Sequence, residues 1–214
     1  MTMTTLDPAR PFDAPRSIAA KRALDLTLTV LILLAIWPLF ALIAAAVALS
    51  SPGPVFFVQR RVGQAGKTFG MIKFRSMYRN AEARRAEIAA LSDREGLCLK
   101  LRHDPRITPV GRVLRRWSLD ELPQLLNVLR GEMSLVGPRP ALVSEVADYP
   151  DHAHRRHLVL PGLTGLWQVS GRADIGFDEM IALDLDYVRR GSLLTDCAIL
   201  LRTVRVVLNG QGAY

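Results

Sequence analysis

The chain has 214 residues, half of them hydrophobic, with a mean hydropathy of +0.17, which is enough for one buried core and too apolar for a disordered chain. Twenty-eight Lys and Arg against 20 acids leave a net charge of +8, which calls for an anionic partner: nucleic acid, anionic lipid or a phosphorylated substrate. Two cysteines, Cys98 and Cys197, match no metal or redox spacing; they exclude a disulfide framework and read as reduced residues on a cytosolic side.

In chain order, residues 1–20, with Pro8, Pro11 and Pro15, read as a disordered tail. Leu26 to Leu49 are 24 residues without a charge. That is about 36 Å of helix against a hydrocarbon core of about 30 Å, so residues 21–50 are expected to form a membrane helix. The stretch is too long, and begins too late, for a cleaved signal peptide. Pro38 sits at its centre, after Trp37; it removes the hydrogen bond to the Leu34 carbonyl and divides the helix into two arms of about 18 Å each. Lys21 and Arg22 precede the helix and Arg60 and Arg61 follow it. Such symmetry leaves a spanning helix and a re-entrant one equally open.

Ser51-Pro52-Gly53-Pro54 ends the helix, and Val55–Gln59 and Thr68–Phe74 read as strands joined by a turn at Gly63–Gly66. Gly66-Lys67-Thr68 is not a P-loop, because Arg61 stands where that motif needs glycine and a strand follows in place of a helix. Lys73 and Arg75 suit either a ligand phosphate or a solvated or lipid-facing strand edge. Asn80–Glu95 alternates acid and base as a surface helix ending at Gly96. Thr108-Pro109 caps a helix to Trp117, with Val110, Val113, Leu114 and Trp117 on one face and Arg112, Arg115 and Arg116 on the other.

Ser118 to Pro140, S-L-D-E-L-P-Q-L-L-N-V-L-R-G-E-M-S-L-V-G-P-R-P, is the stretch around which the chain is organised. Pro123 is tolerated only in a first turn, which places a helix start near Asp120. Asp120 and Glu121 then sit at a helix N-terminus, about 100° apart, able to take two roles but not to form a symmetric pair. The helix runs to Arg130 and stops at Gly131, and two prolines hold Arg139 in an extended loop. Spacing alone reads equally as a capping box, Ser118-x-x-Glu121, followed by an ordinary turn.

Further on, Asp148, Asp151, His152, His154 and His157 invite a metal reading, but Arg155 and Arg156 interrupt them and no open-site motif is present. Pro161-Gly162-Leu163-Thr164-Gly165 is a glycine-rich loop, followed by Gln168 and by Arg172 as a phosphate or nucleotide contact. Asp184-x-Asp186 lies inside a helical pattern ending at Gly191 and is discounted as a metal motif. Ser192–Leu208 is an apolar helix with a narrow stripe at Arg202 and Arg205, suited to the membrane interface or to the core.

The Ser118–Pro140 stretch resembles the signature of the bacterial sugar transferases, the monotopic phosphoglycosyl transferases. Lys73-Phe74-Arg75-Ser76-Met77 and Pro161 to Arg172, the latter as a loop and strand, resemble two further family segments, and the likeness covers Lys21 to Tyr214. The resemblance implies an α+β fold: a small helix-rich cytosolic domain, residues 51–214, with a short β-hairpin, a Pro-kinked re-entrant N-terminal membrane helix broken at Trp37-Pro38, and interfacial amphipathic helices. It implies the cytosolic face of a bacterial inner membrane, and the chain reads as the minimal catalytic unit. The implied reaction moves a sugar 1-phosphate from a UDP-sugar to a polyprenol (undecaprenyl) phosphate and releases UMP. Asp120 would be the nucleophile and Glu121 would orient the acceptor or share a Mg2+ with Asp120, while Arg115, Arg139, Arg172, Lys73, Arg75 and Gln168 would hold substrate. A diphosphate donor and a carboxylate nucleophile repel each other, so the chemistry needs those cations. An ordinary glycosyltransferase releasing UDP is the alternative. A nucleic-acid partner is not expected, since aromatics are not interleaved with the basic residues. Self-association into a homo-oligomer is compatible with the sequence but not dictated by it.

Overall fold

The computed structural model describes residues 18–81, 104–171 and 175–209, with side chains to 207. Arg172, Cys98 and nearly all of the helix expected at Asn80–Glu95 lie outside the described residues.

The first element, α1 (Ile18–Ser50), extends through Pro38 and is 33 residues, about 50 Å, long. Its Leu- and Ala-rich sequence favours helix, and the Ser-Pro-Gly-Pro turn removes the donors needed to continue. Among the described residues it is the one helix long and apolar enough to cross a membrane. Val30, Leu31, Leu34, Trp37, Leu42 and Leu49 are exposed along it, while Asp25, Thr29, Ile43 and Val47 are buried against the rest of the chain.

Two strands follow, β1 (Phe56–Val62) and β2 (Thr68–Phe74), paired antiparallel from Phe56 opposite Phe74 to Val62 opposite Thr68. They are the expected hairpin. A third strand, β4 (Ala141–Leu142), adds to β1 only at Arg61 and Val62. Next come α2 (Pro109–Arg116), a 3₁₀ turn at Leu119–Glu121, α3 (Gln124–Arg130) and β3 (Ser134–Val136), the last pairing parallel with β5 (Gly162–Thr164). The remaining helices are α4 (Val143–Ala147), a 3₁₀ run at Asp151–Leu158, α5 (Leu166–Ser170), α6 (Phe177–Arg190) and α7 (Leu193–Asn209).

Four expectations need correction. The single helix expected from Asp120 to Arg130 is divided into the 3₁₀ turn and α3, because Pro123 lacks the N-H that would join them. Ser118 makes no side-chain cap; it lies at φ 54 in the left-handed region and reverses the chain between α2 and the turn. The strand expected after Gly165 is helix α5, and Val113 and Trp117 of α2 stay exposed while Leu114 is buried.

Both ends of α1 are fastened to the same domain. At the N-terminal end Lys21 pairs with Asp196 of α7 at 2.8 Å, and Arg22 donates to the Val128 and Leu129 carbonyls that end α3, at 2.6 and 3.0 Å. One turn on, the Asp25 carboxylate accepts from the Leu135 N-H of β3 at 3.1 Å. At the other end Ile43 and Val47 pack with Phe74 and Leu114, and buried Arg75 donates to the Val47 and Ser51 carbonyls at 3.1 and 2.6 Å. A guanidinium on a helix C-terminus satisfies stranded carbonyls and opposes the dipole's negative end, roughly 0.3–1 kcal/mol at each site.

Candidate active site

The Leu119–Glu121 turn lies against the end of β2. Asp120 is buried, whereas Glu121 reaches outward and accepts from the Lys73 ammonium at 2.7 Å. The adjacent carboxylates therefore occupy different surroundings, as their angular separation on a turn requires. Burial is the largest influence on Asp120 and raises its pKa above the usual carboxylate range; Lys73 opposes the rise, Glu121 adds to it, and Arg115 opposes it again. Lys73 and Arg115 thus both act electrostatically on the carboxylate proposed as nucleophile.

The registration of Lys73 against the turn comes from Asn127, which is fully buried on α3. Its Oδ1 accepts from the Ile72 N-H at 3.0 Å and its Nδ2 donates to the Gly70 carbonyl at 2.8 Å and to Glu132 at 2.7 Å. One amide thus acts as a short length of strand along the edge of β2. The signal for it in the sequence is a polar residue within the apolar run Leu125-Leu126-Asn127-Val128-Leu129.

The Arg139 loop leaves β3 and is backed by the glycine-rich loop before α5. Gly137 donates to the Thr164 carbonyl at 2.9 Å and Gly162 to the Pro138 carbonyl at 2.8 Å. The backbones approach so closely that a Cβ on Gly137 would run into the Leu160 carbonyl, and one on Gly162 into the Gly137 N-H. Arg139 contacts Glu145 at 3.5 Å. Burial works against ionisation of Glu145, yet Arg139, the Leu142 N-H, Arg61 and Arg156 together hold its pKa below the usual value. The Arg139 carbonyl accepts from Arg156 at 2.9 Å. Gln168 lies beside Gly165, which itself packs on the Gly137 carbonyl, and its Oε1 is buried without a hydrogen-bond partner.

Arg156 is the largest fully buried side chain among the described residues. It spans the Arg139 carbonyl, the Tyr149 hydroxyl at 2.7 Å and the Asp184 carboxylate of α6, to which it makes a very short contact. Burial, set against the neighbouring Arg156, pushes the Asp184 pKa up to about 6. The expectation that Asp184 is no metal ligand is compatible with this placement, but the buried pair itself was not read from the sequence. No group of three or more potential metal-ligating side chains occurs among the described residues.

The structure thus brings Lys73, Glu121, Asp120 and Arg115 into one electrostatic unit, and places Gln168 beside the Gly137 turn that begins the Arg139 loop. Arg75 is turned away, into the end of α1. A phosphate there would face the carbonyls that the guanidinium already satisfies.

Residues 16–210 match the family model described as bacterial sugar transferase. The chain belongs to the bacterial sugar transferase family. It is 40% identical to the exopolysaccharide production protein ExoY of Rhizobium meliloti over 226 aligned positions, covering all of both chains. It is 43% identical to ExoY of Sinorhizobium fredii, covering 91% of this chain and 88% of that one. An undecaprenyl-phosphate galactose phosphotransferase of Salmonella typhimurium is 44% identical over 91% of this chain, which spans only 41% of that longer protein. The family expected from the Ser118–Pro140 motif is the family found, and the protein is a transferase.

Proposed function

We propose that the protein transfers a hexose 1-phosphate from a UDP-hexose to a polyprenyl phosphate in the cytosolic face of a bacterial membrane, as the first lipid-linked step of a surface glycan. The observation that carries this reading is Asp120: a buried carboxylate in the family signature, flanked by Lys73 and Arg115 and paired with an outward-facing neighbour of separate role. A xanthomonad relative, 43% identical over 207 residues, is named UDP-glucose:undecaprenyl-phosphate glucose-1-phosphate transferase.

In the proposed mechanism an Asp120 oxygen attacks the phosphorus that bears the sugar. The bond from that phosphorus to the UMP oxygen breaks, and UMP departs with the electron pair. The polyprenyl phosphate oxygen then attacks the same phosphorus, the bond to Asp120 breaks, and the carboxylate is restored. Lys73 and Arg115 compensate charge at Asp120, Glu121 holds Lys73 in place and faces the acceptor, and Arg139 on its stiffened loop binds phosphate with Gln168, a role the family motif extends to Arg172. Asp120 and Glu121 are two hard carboxylate donors, a set that fits Mg2+, which takes one or two protein carboxylates and keeps its other positions for water and substrate phosphates. Bound there, the ion would neutralise the diphosphate and favour an ionised Asp120.

We further propose that α1 is re-entrant, with its break at Trp37-Pro38. What supports this is the fastening of both ends to one domain: a straight spanning helix of about 50 Å would carry its far end across a bilayer core of about 30 Å, away from its partners. Cysteine labelling in sealed vesicles tests it, with labels near Ile18 and near Lys67 expected on the same side; opposite sides would refute re-entrance.

The test of the reaction is nucleotide release in nanodiscs given Mg2+, undecaprenyl phosphate and a panel of UDP-hexoses, beside Asp120→Asn. UMP from one donor, lost in the variant, is the expected result. UDP would assign the protein to ordinary glycosyl transfer, and full activity in Asp120→Asn would refute the covalent step.

A further inference from the structure

Phe56, Phe57 and Val58 are 40%, 41% and 59% exposed, three consecutive apolar residues at the start of β1. From Phe56 to Arg60 the outer edge of that strand carries no partner strand among the described residues, since β4 joins only at Arg61 and Val62. What bounds the patch on either side is informative. On one face of the strand, shared by Phe56 and Val58, the Phe56 ring lies 6.1 Å from that of Phe40, just past Pro38 of α1, and 5.4 Å from that of Phe74. On the other, Phe57 stands directly across the ladder from Lys73. Opposed residues of an antiparallel pair share a face, which sets the Phe57 ring beside the ammonium that holds Glu121. The Lys73 and Glu121 side chains are 22% and 37% exposed, so a ligand at the surface can reach them. Apolar side chains thus line both faces of this open strand edge, Phe56 and Val58 on the face of α1 and Phe57 on the face of the cation next to Asp120.

We propose that the first isoprene units of the polyprenyl phosphate acceptor fold over this open edge of β1, against Phe57 on one face and Phe56 and Val58 on the other, with its phosphate directed at Lys73. The inference rests on the acceptor class proposed above and adds where that acceptor lies. To reach Asp120 the lipid must bring its head and adjoining isoprenes out of the hydrocarbon, and apolar surface between the anchor and the site keeps those groups from water. The pairing of an apolar lane with one terminal cation matches a single-chain phosphate monoester. A uracil ring would need hydrogen-bonding partners, which three apolar side chains do not supply.

The test uses the full chain in phosphatidylethanolamine–phosphatidylglycerol nanodiscs doped with undecaprenyl phosphate, carrying Phe57→p-benzoylphenylalanine or, as a control on the exposed face of α7, Leu201→p-benzoylphenylalanine. On irradiation, position 57 is expected to capture polyprenyl phosphate well above its share of the lipid, with capture suppressed by added undecaprenyl phosphate but not by undecaprenol. Position 201 is expected to capture bulk phospholipid. Capture at 57 in proportion to bulk lipid would make the patch a plain membrane contact and overturn the proposal. In turnover, Phe57→Ser should raise the acceptor KM about tenfold with the donor KM and the UMP burst unchanged, and Phe57→Leu should recover most of the loss. An equal effect on both KM values, or none, would also overturn it. Selective capture by a protein that releases no UMP would keep the acceptor seat and reject phosphoglycosyl transfer, whereas UMP release with unselective capture would do the reverse.

Discussion

Removing Arg156 separates stability from catalysis in a way the structure makes quantitative. Its side chain is 0% exposed and that of Asp184 1%, so Arg156→Met strands a carboxylate in the interior, where one oxygen, Oδ1, already lacks a partner. Breaking one side of such a pair costs about 3–5 kcal/mol. Asp184 can escape by taking a proton, and burial has already pushed its pKa up to about 6. A carboxyl whose folded pKa is raised favours the fold at low pH, and that contribution is lost as pH rises through the folded value. The variant should therefore be more damaged at pH 8 than at pH 5, with about 1.4 kcal/mol for each further unit by which loss of the cation raises Asp184.

Urea unfolding in detergent, followed by tryptophan fluorescence, measures the cost. Arg156→Met combined with Asp184→Leu removes both charges and should return to within about 1–2 kcal/mol of the parent, far less than the sum of the two single costs. Additive single effects, or a cost for Arg156→Met that does not change with pH, would refute this reasoning. Activity should stay low in the stable double variant, because the Arg139 carbonyl has still lost the donor that fixes its loop.

Four further outcomes follow from the same contacts. Lys73→Gln removes the strongest influence opposing the burial-raised pKa of Asp120, so the acid limb of the kcat/KM profile should move to higher pH. Asn127→Leu leaves the Ile72 N-H and the Gly70 carbonyl unpaired and should cost about 2–4 kcal/mol in urea unfolding, with a larger loss of turnover than a surface variant of equal stability. Burial, with Arg156 and His154 nearby, lowers the His157 pKa to about 4, so the unfolded chain binds this proton first and stability should drain away as pH falls from about 6.5 to 4. His157→Phe should remove about 1–2 kcal/mol of that acid loss, discounted for the ring's partial exposure. Gly137→Ala forces the Arg139 loop off the Leu160 carbonyl and should abolish turnover before it abolishes folding, read by activity beside circular dichroism.

What the sequence disclosed depended on whether a residue acts through its neighbours in the chain or through space. The hairpin, the α2 cap at Thr108 and the Gly131 stop are local, and periodicity or turn chemistry reveals them. The candidates Asp120, Glu121, Lys73 and Arg139 stand out in the sequence because they lie in contiguous motifs. Arg156 and Asp184 were not: they are 28 residues apart, each looks like a charge on a polar helix face, and only the packing of α6 on the 3₁₀ run turns both inward. For Arg75, nothing local shows that the end of α1, 24 residues earlier, returns to meet it. Asp25 was passed over for the same reason: the apolar run begins after it, and its partner is a backbone N-H on β3, 110 residues later.

Those long-range contacts also bear on what the apolar helix is for. Composition asks only that Leu26–Leu49 lie in hydrocarbon, and a spanning helix and a re-entrant one meet that demand equally. The polar groups that flank the run support the second, the topology proposed above. Lys21, Arg22 and Asp25 are fastened to α7, α3 and β3, while the last carbonyls of α1 are fastened to the residue that follows β2. The elements at the two ends are themselves joined, since Asn127 ties α3 to β2 and Lys73 of β2 holds Glu121. A helix crossing the bilayer would forfeit the whole set at one end, several charge-assisted hydrogen bonds worth roughly 1.5–3 kcal/mol each. A helix that turns back keeps both sets, and its shift in depth would pull directly on the strand carrying Lys73. On the re-entrant topology proposed above, the anchor would do more than tether the domain: it would set the height of Asp120 relative to the headgroups, where the proposed nucleotide-sugar donor and lipid phosphate acceptor would meet.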